Sequence, residues 1–260
     1  MPVLAYDDSG SGSAVVLIHG FPLCRRMWQS QAAALRQAGY RVILPDLPGF
    51  GASPMLPAAA SLSGYADAVI ALLDQLQIES AVVGGMSMGG YVLLDLVERY
   101  PQRLRAAMYL VTRAAADDAA GKVRRSDMAE AVRSGNLDQV PMTFEQLLFA
   151  PATLRQQPEL VDQVRRWMDT ASPAGVIAAL LAMRDRKDYL ELLPTLSVPA
   201  LVVGAAEDLA IPPAHAEALA AGLPHAELHI IPRAGHMANL EQPAVFNAIL
   251  LAFLTKHQPT

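Results

Sequence analysis

The sequence predicts an α/β fold: a mostly parallel sheet flanked by helices, with a helical insertion. Three observations lead there. Short apolar runs rich in β-branched residues alternate with segments whose apolar residues recur at helical spacing, the pattern of strands and crossover helices stacked in layers. That rhythm breaks between residues 113 and 193, where the chain reads as helical throughout and no run resembles a buried strand. One strand-like run passes directly into Gly85-Met86-Ser87-Met88-Gly89 and then into a helical pattern, a strand–turn–helix join of a kind that carries chemistry.

Buried strands are expected at 14–18, 41–44, 80–84, 106–111, 199–203 and 227–231. Helices are expected at 66–76, where Val69, Ile70, Leu72, Leu73 and Leu76 share one face, and at 243–254, with Val245, Phe246, Ile249, Leu250 and Phe253. Inside the insertion, candidate helices cover 122–133, 144–148, 158–170 and 174–184. The expected organisation is a core of residues 1–112 and 194–260 and a helical cap of 113–193.

Composition narrows the function classes. Hydrophobic residues make up 53% of the 260 and charged residues 17%, ample for one large core, so disorder is not expected. The net charge is −5 and the Lys and Arg are scattered, which argues against nucleic acid as a partner. No run of about 18 apolar residues is present, so no membrane span is expected. The start, Met1 to Asp8, lacks the basic and long apolar stretches of a secretory leader. A single cysteine, Cys24, excludes an internal disulfide and suits a reducing compartment. A cytoplasmic enzyme fits this profile, as monomer or homodimer.

Ser87 is the candidate nucleophile. Its glycine neighbours suit a tight, strained turn crossed closely by other chain segments, and the helix behind it presents free N–H groups and a positive dipole end. A serine hydroxyl needs a base to take its proton, and His236, on the loop after the last strand, is the candidate. The other histidines are worse placed: His19 at a strand-end turn, His215 in a helix, His225 before a strand, His229 inside one, His257 near the end. Asp208, just past the 199–203 strand, is the acid that would orient the imidazole, with Glu207 as its nearest rival. Two N–H donors must meet the developing oxyanion. The amide of Met88 is one candidate, and that of Phe21 in His19-Gly20-Phe21-Pro22 is the other, since Pro22 has no N–H.

These motifs, together with Asp46-Leu47-Pro48-Gly49-Phe50-Gly51-Ala52-Ser53, resemble the α/β-hydrolase superfamily along nearly the whole chain. The order Ser87, Asp208, His236 is the order that fold uses. The resemblance implies a structural role for Asp46. The stretches Thr112-Arg113-Ala114-Ala115-Ala116 and Asn239-Leu240-Glu241-Gln242-Pro243 are similar to a bacterial group of esterases and 3-oxoadipate enol-lactone hydrolase-like proteins. Such relatives often begin with a longer hairpin, so short or missing N-terminal edge strands are expected here. They often carry Asp where this chain has Val111, which removes a competitor to Asp208. Serine at position 87 argues against the similar haloalkane dehalogenases and epoxide hydrolases, which use an Asp nucleophile.

The implied activity is hydrolysis of small to medium apolar carboxylic esters through an acyl-enzyme, with no cofactor and no metal. Enol-lactone hydrolysis, C–C bond hydrolysis and cofactor-free perhydrolysis are alternatives sharing the same residues, and a ligand receptor on this scaffold is the alternative outside enzymes. Phe21, Met27, Trp28, Met86, Met88, Met142 and Trp167 are candidate pocket residues between the elbow and the cap. Arg113 either binds a substrate carboxylate, as a lactonase would want, or pairs with an acid of the cap, and the second is favoured.

Overall fold

The computed structural model describes residues 4–56 and 61–257; residues 1–3, on which part of the leader reading rests, lie outside them. Among the described residues seven strands form one sheet: β1 (Tyr6–Ser9), β2 (Ala14–Ile18), β3 (Arg41–Pro45), β4 (Ala81–Met86), β5 (Leu104–Leu110), β6 (Ala200–Ala205) and β7 (Ala226–Ile231). Their order is β1-β3-β2-β4-β5-β6-β7, with β1 antiparallel to β3 and every other pairing parallel. The N-terminal edge strand is therefore present, but only four residues long.

Strand alternation divides the core in two. Val16, Ile18, Ile43, Val83, Ala107, Tyr109 and Val202 face a layer of α2 (Leu62–Gln75), α3 (Met88–Arg99) and α9 (Ala214–Gly222). Val15, Leu17, Val42, Leu44, Met108, Leu110, Leu201 and Val203 face α1 (Gln29–Gln37) and α11 (Pro243–Lys256). Helix α1 escaped the sequence reading because its buried positions are only Gln31, Ala32 and Leu35, too few and too small for a clear apolar stripe.

Five helices lie between β5 and β6: α4 (Ala119–Arg133), α5 (Gln139–Leu148), α6 (Pro151–Gln156), α7 (Pro158–Met168) and α8 (Pro173–Arg184). Helix α5 begins five residues before its expected start at Phe144, because Pro141 sits in its first turn, where no intrahelical N–H bond is lost. The six-residue α6 had no counterpart in the sequence reading. Side chains cap two of these helices, Asp118 accepting from Gly121 N at 2.7 Å and Ser172 from Gly175 N at 3.0 Å. Helix α8 docks on the 46–53 turn: the Ser172 hydroxyl and amide both donate to Gly49 O, at 3.0 and 3.2 Å.

The two ends of the insertion meet at Asp117. Its buried carboxylate takes ion pairs from Arg113, Arg125 and Arg186, the last through both guanidinium nitrogens at 3.0 and 3.1 Å. Tyr189 N donates to Ala114 O at 3.1 Å, and Ala116 N to Asp188 Oδ2 at 2.9 Å, closing the base of the segment. Burial pushes the Asp117 carboxyl up, but hydrogen bonds from Arg186 and Arg125 outweigh it and hold its pKa at about 2. Because the folded value lies below the unfolded one of about 3.9, the ionised group stabilises the fold at neutral pH. That contribution shrinks as pH falls through the unfolded and then the folded value. Asp117→Asn is expected to cost about 2 kcal/mol at neutral pH, with the gap to wild type closing in acid; urea unfolding at about pH 7 and about pH 3 checks both the size and the trend.

Candidate functional site

Strand β4 ends at Met86, and the chain turns through Ser87 into α3. Ser87 has φ 53° and ψ −115°, in the left-handed half of the map that non-glycine residues rarely occupy. The turn is held on three sides. Ser87 N donates to Leu110 O at 3.0 Å, and Ser87 O accepts from Gly90 N at 2.9 Å and from Thr112 Oγ1 at 2.8 Å. Thr112 reaches this position because Val111 leaves β5 at φ 48°, an outlier for a β-branched residue and a second strained point beside the first.

The glycines are required by close backbone approach. A Cβ on Gly89 would lie 2.5 Å from Ile18 O and 2.8 Å from His19 O, and one on Gly85 would strike the carbonyl of Gly89. The end of β2 is therefore pressed against the elbow, and a Cβ on Gly20 would lie 3.3 Å from the Cβ of Ser87.

That proximity brings the turn after β2 to the serine. The amides of Phe21 and Met88, both beside Ser87 in space or sequence, donate to no protein group among the described residues. His19 fixes the turn. It is fully buried, which pushes its pKa down and keeps the imidazole neutral. Leu47 N donates to Nε2 at 2.9 Å, so the proton sits on Nδ1, which donates to Gly20 O at 2.9 Å. Beneath it, buried Asp46 accepts from Arg25 N at 2.7 Å and Ala52 N at 2.8 Å, and pairs with the Arg25 guanidinium. Asp46 thus binds two loops together and faces no part of the Ser87 turn.

The loops after β6 and β7 are joined by Ala206 N to Ile231 O and Glu207 N to Ala234 O, each at 2.9 Å. They present Asp208 and His236, both buried, with Nδ1 of the imidazole 2.8 Å from Asp208 Oδ2. An ionised carboxylate can only accept, so Nδ1 carries a proton, and in the neutral ring Nε2 keeps its lone pair. Asp208 Oδ1 accepts from Ala210 N at 2.8 Å and Ile211 N at 2.9 Å, which locks the carboxylate. Asp208, and not its rival Glu207, is the acid facing the ring. Ser87 stands at the same carboxyl edge of the sheet, since β4, β6 and β7 run parallel. No hydrogen bond of 3.5 Å or less joins its Oγ to His236 among the described residues.

The other candidates separate. Met86 and Trp167 are buried in the core layer on the α11 side, with Met27. Trp28 is wholly buried there against Phe246, ring centroids 6.3 Å apart, so it is packing for α11. Met142 is 65% exposed on the outer face of α5, whose buried residues are Val140, Pro141 and Leu148; it lines no inner wall. Arg113 is engaged by Asp117. Phe144 and Phe50, which were not among the candidate pocket residues, pack edge-on to Phe21 at 5.4 and 6.0 Å. No local pattern marks Phe144, because its partner lies in a turn more than a hundred residues earlier.

Comparison with known proteins agrees with this architecture. A family model described as alpha/beta hydrolase fold matches residues 13–243. The dihydrolipoyllysine-residue acetyltransferase component of the acetoin cleaving system of Pseudomonas putida is 34% identical over 95% of this chain, which spans 64% of that protein's length. The 3-oxoadipate enol-lactonase 2 of Acinetobacter baylyi is 30% identical over 88% of this chain and 84% of its own. Among solved structures, a thermophilic esterase from Thermogutta terrifontis with malate bound superposes with a TM-score of 0.95, at 37% identity, covering 98% of this chain and 94% of its own.

The crowding at the elbow generates a test. Gly89→Ala is expected to lose about 1–3 kcal/mol of stability by overpacking and to shift the serine turn, lowering turnover of an activated ester about a hundredfold; thermal melting and initial rates on the same preparation measure both.

Proposed function

The chain belongs to the α/β-hydrolase family, and from that premise we propose that it is a serine carboxylic-ester hydrolase acting on small to medium apolar esters, with the five inserted helices as a cap over the site. The observation that carries the reading is the pairing of a serine at φ 53° on the elbow with an Asp208-bound imidazole at the same sheet edge. A strained backbone turn persists only where the surroundings hold it, and such points cluster at reactive sites.

In the proposed reaction Ser87 Oγ attacks the ester carbonyl carbon while Nε2 of His236 takes the hydroxyl proton. The carbonyl oxygen, now anionic, accepts hydrogen bonds from the amides of Phe21 and Met88. Collapse breaks the bond to the alcohol, which leaves with the proton from His236. Water then attacks the acyl group, giving a proton to the same nitrogen, and the acid departs as that proton returns to Ser87 Oγ. Asp208 stays ionised throughout, orienting the ring and offsetting the charge of the imidazolium. Helix α3 adds its positive end beneath the oxyanion. Every proton and bond is accounted for by the chain's own groups and one water.

A neutral ester is favoured over a carboxylate-bearing lactone by the environment of Arg113. Its guanidinium pairs with Asp117 at the base of the insertion, one of three arginines gathered on that buried carboxylate. A lactone is itself an ester, and the similarity to an enol-lactonase is compatible with the same Ser87 chemistry on a neutral ring.

Two outcomes are expected. Ser87→Ala should lower p-nitrophenyl ester turnover by about four orders of magnitude or more with an unchanged circular-dichroism spectrum, and should abolish covalent labelling by a fluorophosphonate. Arg113→Ala should reduce turnover of a neutral ester and of a carboxylate-bearing lactone by the same factor. A loss confined to the anionic substrate would transfer Arg113 from the cap's base to substrate recognition.

A further inference from the structure

Glu241 ends the short helix α10 (Ala238–Glu241), five residues past His236, and is buried. Its carboxylate reaches in two directions. Oε1 accepts from Gly235 N, the amide immediately before the histidine, at 2.9 Å. Oε2 accepts from Ala150 N at 2.9 Å and Thr153 Oγ1 at 2.6 Å, at the first turn of α6 in the insertion. The two segments also touch directly. Met237 N donates to Leu148 O at 2.9 Å, and a Cβ on Gly235 would lie 2.6 Å from the carbonyl carbon of Phe149 and collide with Ala150 N. No side chain separates the histidine loop from the inserted helices at this point. Burial raises the cost of ionising Glu241, and hydrogen bonds from Thr153, Ala150 and Gly235 oppose that cost.

We propose that Glu241 is a positioning residue for His236, a strap whose carboxylate ties the histidine loop to the first turn of α6, so that seating the inserted helices and aligning the imidazole are one coupled event. The proposal rests on the assignment of Ser87 and His236 as nucleophile and base. Glu241 makes no hydrogen bond to the ring of His236 among the described residues, and acts through Gly235. Thr153 is further removed, touching neither member of the reacting pair, and yet belongs to the strap.

The experiment compares Glu241→Gln, Thr153→Val and the double variant. Turnover of a p-nitrophenyl ester is expressed per active centre, counted by fluorophosphonate burst, so that unfolded molecules do not enter the rate. Gln keeps the shape but turns an NH2 towards one set of donors, so Gly235 or Ala150 loses its acceptor. The expected result is a fall in kcat of about tenfold for Glu241→Gln and about threefold for Thr153→Val with KM within about twofold of wild type, and a double variant little worse than Glu241→Gln alone, because both break one strap. Thr153→Val, which removes one hydroxyl at the edge of the network, keeps the test open should Glu241→Gln fail to fold. Rates per centre within about twofold of wild type in the variants that fold, whatever their melting temperatures, overturn the proposal; so does a double variant whose losses multiply. A wild-type protein that takes no label on Ser87 would bring down the nucleophile assignment and this inference with it, whereas a labelled wild type with unaffected variants brings down this inference alone.

Discussion

The elbow backbone runs so close to the end of β2 that no side chain fits at Gly89, and on the other side the Thr112 side chain, just past β5, fills the space beside Gly90. Ile18 and His19 present carbonyl oxygens to Gly89, and Gly90 faces Thr112. This close approach holds Ser87 at a φ it would otherwise abandon, and it sets the distance between the elbow and the turn that carries Phe21. A nucleophile and its oxyanion donors must be held to fractions of an ångström. Backbone packed on backbone, with no rotamers to relax, is the stiffest way to do so. The remaining loops of the site are arranged around that fixed centre.

Four buried carboxylates do the arranging, each by joining two segments distant in sequence. Asp46 joins the turn after β3 to the start of the segment leading into α1. Asp117 gathers the two ends of the insertion. Asp208 stands between the loops after β6 and β7, and Glu241 between the histidine loop and α6. A carboxylate suits this work because its two oxygens accept several N–H groups at once. Leaving any of those donors buried and unmatched costs more than a typical hydrogen bond contributes. These four acids are therefore connectors, from the sheet edge to the seat of the inserted helices.

Family membership and site geometry bear on different questions. In the proposed reading, hydrolase chemistry rests on the elbow and the Asp208–His236 pair, which the sheet positions. The inserted helices add contacts of their own, Phe144 against Phe21 and Arg113 held by Asp117, and in the proposed reading they form the cap over the site. Folds of this kind host many reactions on one scaffold, and the division of labour between sheet and insertion is the physical reason.

Six of the seven described strands, the elbow and the residues of the proposed triad were legible in the sequence, because each leaves a short-range mark, whereas the four-residue edge strand β1 was not. Buried parallel strands are continuous apolar runs, the elbow is five consecutive residues, and Asp208 and His236 follow their strands directly. Even the break in rhythm at 113–193 was visible, although α1, α6 and the true start of α5 were not, since small buried residues and a first-turn proline blur helical spacing. Only the tertiary structure decided which side chains meet across the fold. Trp28 went to the α11 core, Met142 to solvent, Arg113 to Asp117, and Glu241 to a partner some ninety residues away. Such pairings are set by how whole layers pack, and nothing in a residue's own neighbourhood along the chain records which distant backbone will come to rest against it.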